Sequence, residues 1–252
     1  MVKIQIQSDL HLEVTKSYDI FEIAPKAPYL ALLGDIGCIS KHYNEYAQFL
    51  LAQLRNFKAV LLVLGNHEPY HSSWVEAKAS MVRFRDEDVA AARQQEGGEQ
   101  LGAFVLLDQT RFDIDDDEEG GVTILGCTLF SKDWEVEEHN QEHARDLAWL
   151  NSEVESLSGG GRRVAVLTHY CPTFDERAQD PQHKDSPIRS GFATELSGEP
   201  CWKSESVKLW AFGHTHYNCN FVDKYGKRVY ANQRGYIFSQ SPGFDGTAVV
   251  EV

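Results

Sequence analysis

Seven short segments rich in apolar residues restrict most strongly how this chain of 252 residues can fold. Most of them are almost continuously apolar, which predicts strands that are buried on both faces. Apolar residues recur at helical spacing over residues 43–55, 74–93 and 136–157, which predicts helices between the strands. The seven predicted strands cover residues 2–7, 29–34, 59–65, 103–107, 122–126, 164–169 and 207–213.

The C-terminal third of the chain has a different pattern. The segments "NCNFVD", "RVYANQ" and "TAVVEV" are typical of antiparallel strands, joined by the turns "KYGK" and "SPGFDG". Helix-linked strands followed by hairpins predict an α/β (α+β) fold in which two mixed β-sheets pack face to face and are flanked by α-helices.

At this length we expect a single domain over residues 1–252, with a long polar loop insertion near 173–200. A loop of that length in a compact domain is usually functional or disordered, and we expect it to influence substrate specificity. The charge-rich segment at 113–121 is predicted to be a solvated hairpin tip, because it lacks the spacing of a calcium loop.

Composition excludes several classes of function. The net charge of −14, from 38 acidic and 24 basic residues, argues against a long nucleic-acid partner. A small phosphorylated substrate is still compatible with it, because bound metal ions can supply positive charge locally. No apolar run reaches the roughly 20 residues that span a bilayer, so no membrane association is expected.

The N-terminal sequence and the cysteines indicate a compartment. The first ten residues alternate like a strand and lack the apolar block of a signal peptide. Five scattered cysteines without C-x-x-C spacing are typical of reduced thiols. We therefore expect a cytoplasmic or nuclear protein that is not secreted; the sequence does not define its oligomeric state.

Polar side chains follow five of the apolar segments at the points where the strands are predicted to end. Ligands in α/β sheets gather at the carboxyl ends of strands. Carboxylate, amide and imidazole groups together suit Mn²⁺, Fe or Zn²⁺. On an extended chain, residues two apart point the same way, so two such pairs can each face one centre. The polar residues are Asp9 and His11, Asp35, Asn66 with His67 and Glu68, His169, and His214 with His216.

These motifs, taken in order, resemble those of the calcineurin-like metallophosphoesterase superfamily: D-x-H, G-D, G-N-H-(D/E), a single H and G-H-x-H. Here they read Asp9-Leu10-His11, Gly34-Asp35, Gly65-Asn66-His67-Glu68, His169 and Gly213-His214-Thr215-His216. The resemblance spans residues 9 to 216 and implies a four-layer fold, two β-sheets between helices, with a dinuclear metal centre. It also implies hydrolysis of a phosphoric ester by a metal-activated water.

The resemblance implies a role for each matching residue. Asp9, His11 and His216 would hold one metal ion, and Asp35 would bridge to the second. Asn66, His169 and His214 would complete the shell of the second ion, and His67 would be the catalytic histidine near the phosphate. The implied cofactors are two divalent or mixed-valence metal ions: Mn²⁺, Fe or Zn²⁺.

One position departs from the pattern of many relatives. In those relatives an acid three residues after the G-D aspartate orients the catalytic histidine, whereas this chain has Cys38 there. Glu68 is an alternative partner for His67, although adjacent residues often point apart.

The motifs also favour one branch of the superfamily. The protein phosphatases carry G-D-x-x-D-R-G and an arginine before G-N-H-E, whereas this chain has "GDIGCIS" and "LGNHE". The resemblance is closer to the small phosphodiesterase-like members. We therefore expect hydrolysis of a small-molecule phosphodiester, or a phosphomonoester. The alternatives are a catalytically silent scaffold of the same fold and a nuclease.

Three further residues are candidates for substrate binding. Arg234 lies in "ANQRGY", which is similar to an N-P-R-G-Y segment of some relatives, and either contacts substrate or holds the loop under the site. His71 either lines the mouth of the site or lies on the surface. Tyr170 belongs either to the pocket wall or to the core.

Overall fold

Two β-sheets form the centre of the fold. The computed structural model of the protein describes residues 1–95, 100–115, 120–132, 137–183 and 186–252. The first sheet has the strand order β13-β1-β2-β3-β4, in which β1 to β4 are parallel and β13 is antiparallel to β1. These strands are β1 (Lys3–Gln7), β2 (Tyr29–Leu33), β3 (Ala59–Val63), β4 (Ala103–Leu106) and β13 (Val249–Glu251).

The second sheet has six strands in the order β5-β6-β7-β8-β10-β9. The inner four are parallel, and the edge strands β5 and β9 are antiparallel to their neighbours. The strands are β5 (Thr110–Ile114), β6 (Val122–Cys127), β7 (Arg163–Thr168), β8 (Val207–Phe212), β9 (Cys219–Val222) and β10 (Arg228–Ala231). A separate two-stranded hairpin consists of β11 (Gly235–Tyr236) and β12 (Ser239–Gln240).

Helices cover the outer face of each sheet. Against the first sheet lie α1 (Ile39–Leu54), α2 (Trp74–Arg83) and α3 (Val89–Gln95), with a π-helical turn at Phe84–Asp88 between the last two. Against the second sheet lie α4 (Glu137–Ser156) and α5 (Pro200–Lys203). Short 3₁₀ turns at Glu176–Ala178, Pro181–His183 and Arg189–Gly191 shape the segment 173–200.

Because side chains alternate between the two faces of each strand, they pack into separate cores on the two sides of the sheet. In β3 all five residues are buried: Leu61 and Val63 pack between the sheets, whereas Val60 and Leu62 pack against the helices. The side chains of the second sheet are divided in the same way: in β7, Leu167 packs against the first sheet, whereas Val164 and Val166 pack against α4. The predicted four-layer fold, two mixed sheets flanked by helices, is therefore confirmed, and so are strands buried on both faces.

The helix predictions are confirmed in part. The first helix begins four residues earlier than predicted, at Ile39. The predicted helix at 74–93 consists of α2, the π-helical turn and α3, and its start at Trp74 is fixed by a capping box between Ser73 and Glu76. The third helix is α4, and residue 136 at its predicted start lies outside the described residues.

The prediction that the C-terminal strands form one antiparallel set was wrong in part. β9 and β10 form the expected antiparallel hairpin, but "TAVVEV" does not continue that sheet. Its strand β13 pairs with β1 on the edge of the first sheet. This position buries Val250 in the core between the two sheets. The strand β5 and the hairpin β11–β12 were not predicted. The segment 113–121 does join antiparallel strands, and its residues 116–119 lie outside the described part.

Among the described residues, no helix is long and apolar enough to span a bilayer.

Candidate metal centre

The carboxyl ends of strands from both sheets meet at one edge of the fold. The backbone amides of Asp9 and His11 donate to the carbonyls of Gly34 and Asp35, which follow the neighbouring strand β2. Across the sheets, the backbone amide of His214 donates to both carboxylate oxygens of Asp9, at 3.1 and 3.0 Å. The predicted ligand positions are thus brought together by hydrogen bonds between strand ends.

The backbone at these positions is not extended. Asp9, His11, Asp35, His214 and His216 have φ values of 53°, 47°, 53°, 70° and 51°, in the left-handed region. The expectation that the two pairs converge through the alternation of a strand was therefore wrong. Sharp turns after the strands bring the side chains together instead. Such strained residues cluster at functional sites, where the surrounding structure enforces them.

Two glycines permit the close approach. A Cβ atom at Gly65 would lie 2.3 Å from Oδ1 of Asp35 and 2.6 Å from Cε1 of His169. A Cβ atom at Gly213 would lie 2.7 Å from Oδ2 of Asp9. Any larger residue at either position would displace one of these side chains.

The first group of potential ligands contains Asp9, His11 and His216, whose ligand atoms all lie within 4.8 Å of one another. Nε2 of His11 is 2.9 Å from Nε2 of His216, and this second nitrogen is 3.4 Å from Oδ1 of Asp9. Two ligands about 2.1 Å from a shared ion lie about 3.0–3.5 Å apart, so these separations fit a bound metal ion.

The second group contains Asp35, His169 and His214, with Asn66 beside it. Nδ1 of His169 donates to the carbonyl of Leu33 at 2.8 Å, which turns the other ring nitrogen, Nε2, into an acceptor. This Nε2 faces two further acceptors, Oδ1 of Asn66 at 3.1 Å and Oδ1 of Asp35 at 3.5 Å. Three oxygen and nitrogen atoms that face one another in this way fit a cation between them.

The charges also fit metal ions. Asp9 and Asp35 are almost fully buried, and their ion-pair partners within the described part of the chain are histidine rings. Burial, together with the charges of Glu68 and Asp9, raises the pKa of Asp35 well above its usual range. Burial lowers the pKa of His169 to about 4, so its ring is neutral near pH 7, as a metal ligand must be. Divalent ions would offset the cost of the buried carboxylates.

His67 lies beside the two groups, held at both ring nitrogens, and with His11 and Glu13 it forms a third set of potential ligand atoms within 4.8 Å of one another. Its Nδ1 donates to Oε1 of Glu13 at 2.8 Å, and its Nε2 is 3.3 Å from the hydroxyl of Tyr236 and 3.8 Å from Oδ2 of Asp35. Burial raises the pKa of Glu13, but hydrogen bonds from His11 and His67 outweigh this and bring it to about 2. Glu13 is therefore the carboxylate that orients His67.

Neither Glu13 nor Tyr236 was predicted to belong to the site. The available signal was weak: Glu13 follows His11 by two residues in "DLHLE", and Tyr236 ends the "ANQRGY" segment. The Tyr236 ring stacks on His11 with 4.1 Å between ring centroids. Both residues reach the site only because of turns that a strand pattern does not predict.

Glu68 does not orient His67. Its buried carboxylate accepts hydrogen bonds from four backbone amides and from the hydroxyl of Tyr46. It therefore holds the loops after β2 and β3 against each other. The amide donors belong to Asp35, Ile36, Gly37 and Gly65.

The three candidate substrate residues lie in different surroundings. Tyr170 is buried, lines the cavity of about 650 Å³ over the site, and lies 4.2 Å from the ring of His214. Arg234 donates to the carbonyl of Leu10 and covers the ring of Phe21, which matches the loop-holding role. His71 is exposed and is not part of the described cavity lining.

Comparison with known proteins agrees with this arrangement. The profile of the calcineurin-like phosphoesterases matches residues 2–218. The chain belongs to the calcineurin-like phosphoesterase family, and its class of chemistry is metal-dependent hydrolysis of phosphoric esters. No curated protein matches the sequence at a significant level.

Two solved structures are similar to this chain at low sequence identity. A dimetal phosphatase from Danio rerio has 14% identity and a TM-score of 0.52, over 91% of this chain and 86% of that one. A putative 5′-nucleotidase from Staphylococcus aureus in complex with alpha-ketoglutarate has 12% identity and a TM-score of 0.49, over 93% of this chain and 48% of that one. At 14% identity the likeness to the dimetal phosphatase concerns the fold alone.

We predict that Glu68→Gln lowers the free energy of unfolding by about 2–3 kcal/mol, because its amide NH₂ would face backbone N–H donors in place of an acceptor oxygen. Urea denaturation with a chelator present measures this without any contribution from bound metal. Glu45→Gln on the exposed face of α1 is the matched control and is expected to unfold at the wild-type urea concentration. Equal midpoints for both variants would contradict the proposed contribution of Glu68.

Proposed function

We propose that the protein hydrolyses a small-molecule phosphodiester at a dinuclear metal centre, with His67 as its catalytic residue. The observation that carries this proposal is the pair of acceptor groups at the strand ends, with Nε2 of His67 beside Asp35. Two such groups side by side match the arrangement of two-metal phosphoesterases.

In this proposal Asp9, His11 and His216 hold one ion. Asn66, His169 and His214 would hold the other, and Asp35 would contribute to both. Mn²⁺, Fe and Zn²⁺ all suit these oxygen and nitrogen ligands. When bound, the ions supply Lewis acidity toward the phosphoryl oxygens and a nucleophile from water.

The protein's own part in the reaction falls to His67 and Glu13. Glu13 holds the ring through Nδ1, so that Nε2 faces the metal groups. In its protonated form His67 donates from Nε2 to the leaving oxygen as negative charge develops there. General acid catalysis of this kind contributes about 10²–10⁴-fold.

The charge of the cavity favours a diester over a monoester. Within the described part of the lining, Arg189 is the one residue with a permanent positive charge. Its guanidinium stacks on the ring of Phe174 and donates to the Phe174 carbonyl at 2.8 Å. It is therefore engaged within the segment 173–200. A diester carries one negative charge and therefore needs fewer cationic partners in the cavity than a dianionic monoester does.

We predict that the protein with Mn²⁺ hydrolyses bis(4-nitrophenyl) phosphate with a higher kcat/KM than 4-nitrophenyl phosphate, and that a chelator abolishes both activities. Release of nitrophenolate, together with the metal content by mass spectrometry, measures this. A higher kcat/KM for the monoester would reverse the diester assignment. No hydrolysis of either ester with Mn²⁺, Fe or Zn²⁺ would favour a catalytically silent scaffold.

We expect the proposed ligand and the proposed acid to differ in how their loss affects the protein. Asp35→Asn should lower both metal occupancy and activity, because the shared negative charge is lost. His67→Ala should keep the metal and lose about 10²–10⁴-fold in kcat. His71→Ala, outside the described cavity lining, is the control and should keep both. Full activity in His67→Ala would overturn its role.

We predict that Glu13→Gln lowers kcat by about tenfold or more without changing KM or metal content, because a neutral amide holds the His67 ring less firmly. Metal content must be measured, since Glu13 also lies 3.4 Å from Nδ1 of His11. A double-mutant cycle isolates the coupling. If Glu13 acts through His67, adding Glu13→Gln to His67→Ala causes little further loss. Additive losses would mean that Glu13 acts on its own.

A further inference from the structure

Exposed apolar side chains gather around the cavity over the metal centre. Four large hydrophobic residues of its lining are more than a third exposed: Tyr70 (45%), Ile188 (63%), Phe192 (39%) and Tyr236 (37%). They come from three separate parts of the chain, which meet only in the folded protein. Exposed apolar residues that gather at a concave site typically mark a place where a ligand binds.

Aromatic rings of the cavity lining are in direct contact with the candidate ligands. Phe192 stacks on His214, with ring centroids 5.0 Å apart and 27° between the planes. Tyr236 stacks on His11, and the ring centroids of Tyr70 and His67 are 4.3 Å apart. A phosphate placed at the metal groups would therefore bring its organic group close to these exposed side chains.

Apart from the metal-centre residues, the charged side chains of the described lining are Asp180 and Arg189, which offset each other. Asp180 contributes a negative charge to the lining. The guanidinium of Arg189 donates through one nitrogen to the Phe174 carbonyl and stacks on the Phe174 ring, and its buried Nε has no hydrogen-bond partner among the described residues. Because Asp180 lies in the same lining and offsets the charge of Arg189, a second negative charge on the organic group would gain little there.

From these observations we infer that the cavity wall formed by Tyr70, Ile188, Phe192 and Tyr236 binds an uncharged planar aromatic ring of the substrate. We call this wall the ring subsite. The inference rests on the proposed function, because it places the phosphate of the same ester at the metal centre. A nucleobase and a simple aryl group share this chemistry. Stacking of such rings on aromatic side chains is tolerant of their identity.

The test uses direct binding, so that it does not depend on turnover. Three phosphonate monoanions, each with one alkyl ester and one P–C bond in place of the two ester bonds of a diester, are titrated into Mn²⁺-loaded protein by calorimetry, and each compound is checked to be intact after the titration. O-methyl methylphosphonate has no ring, O-methyl phenylphosphonate has an aryl ring, and thymidine 5′-methylphosphonate has a nucleobase. We expect at least one of the two ring compounds to bind about tenfold more tightly than the compound without a ring.

Variants assign the preference to the ring subsite. Phe192→Ala is expected to reduce the ratio of dissociation constants to about threefold or less, and Ile188→Ser to reduce it as well. Phe238→Ala is the matched control: Phe238 is 87% exposed, lies outside the described lining, and should leave the ratio unchanged. A carboxylate added to the phenyl ring is expected to abolish the gain, because Asp180 lies in the same lining.

The outcomes separate this inference from the proposed function. Equal dissociation constants for all three phosphonates in the wild-type protein overturn the ring subsite, whatever the hydrolysis assays show. A ring preference that persists in Phe192→Ala and in Ile188→Ser overturns its location. A ring preference that Phe192→Ala removes, in a protein that hydrolyses no ester, supports the subsite while the proposed function fails. Tighter binding of the thymidine compound than of the phenyl compound identifies the ring as a nucleobase, and the reverse identifies it as a simple aryl group.

Discussion

The hydrogen bonds of the Glu68 carboxylate join the two loops on which the rest of the site depends. One oxygen accepts from the amides of Asp35 and Gly65. The other accepts from the amides of Ile36 and Gly37, in the loop after β2. A carboxylate with this many amide donors is a strong and directional anchor, since each charge-assisted bond is stronger than a neutral one. Because the loops carry Asp35, Asn66 and His67, their relative position follows from this one buried charge.

That anchor has an electrostatic consequence. Glu68 adds its charge to those of Asp9, Asp35 and Glu13, so four carboxylates lie among the histidines of the site. Such a group is costly to bury without cations. The excess of carboxylates over cationic side chains does not prevent a chain with a net charge of −14 from binding an anionic substrate, provided that metal ions occupy the site. In the proposed site the attraction for phosphate comes from the metal ions, and the acidic residues serve to hold those ions.

The sequence predicted the strands better than it predicted the contacts between their ends. Continuous apolar runs are a strong signal because strands covered on both faces tolerate few polar residues, and β3 is fully buried as expected. The five polar strand ends were found because each follows such a run. Glu13 was missed because its approach to His67 depends on left-handed turns at Asp9 and His11, which a two-residue period does not encode. The pairing of β13 with β1 was missed because alternation specifies a buried face but not the sheet that supplies it.

Chemistry and specificity are supported by different parts of the fold. The proposed ligands follow strands whose side chains fill the cores, so changes there disturb packing as well as the site. The ring subsite takes Ile188 and Phe192 from the segment 173–200 and Tyr236 from the hairpin β11–β12, outside both large sheets. Substitutions in these parts can change which organic group fits while the metal groups keep their geometry. Two residues of the wall also contact site residues: Phe192 stacks on His214, and the Tyr236 hydroxyl contacts His67, so both link the shape of the wall to the positions of these histidines.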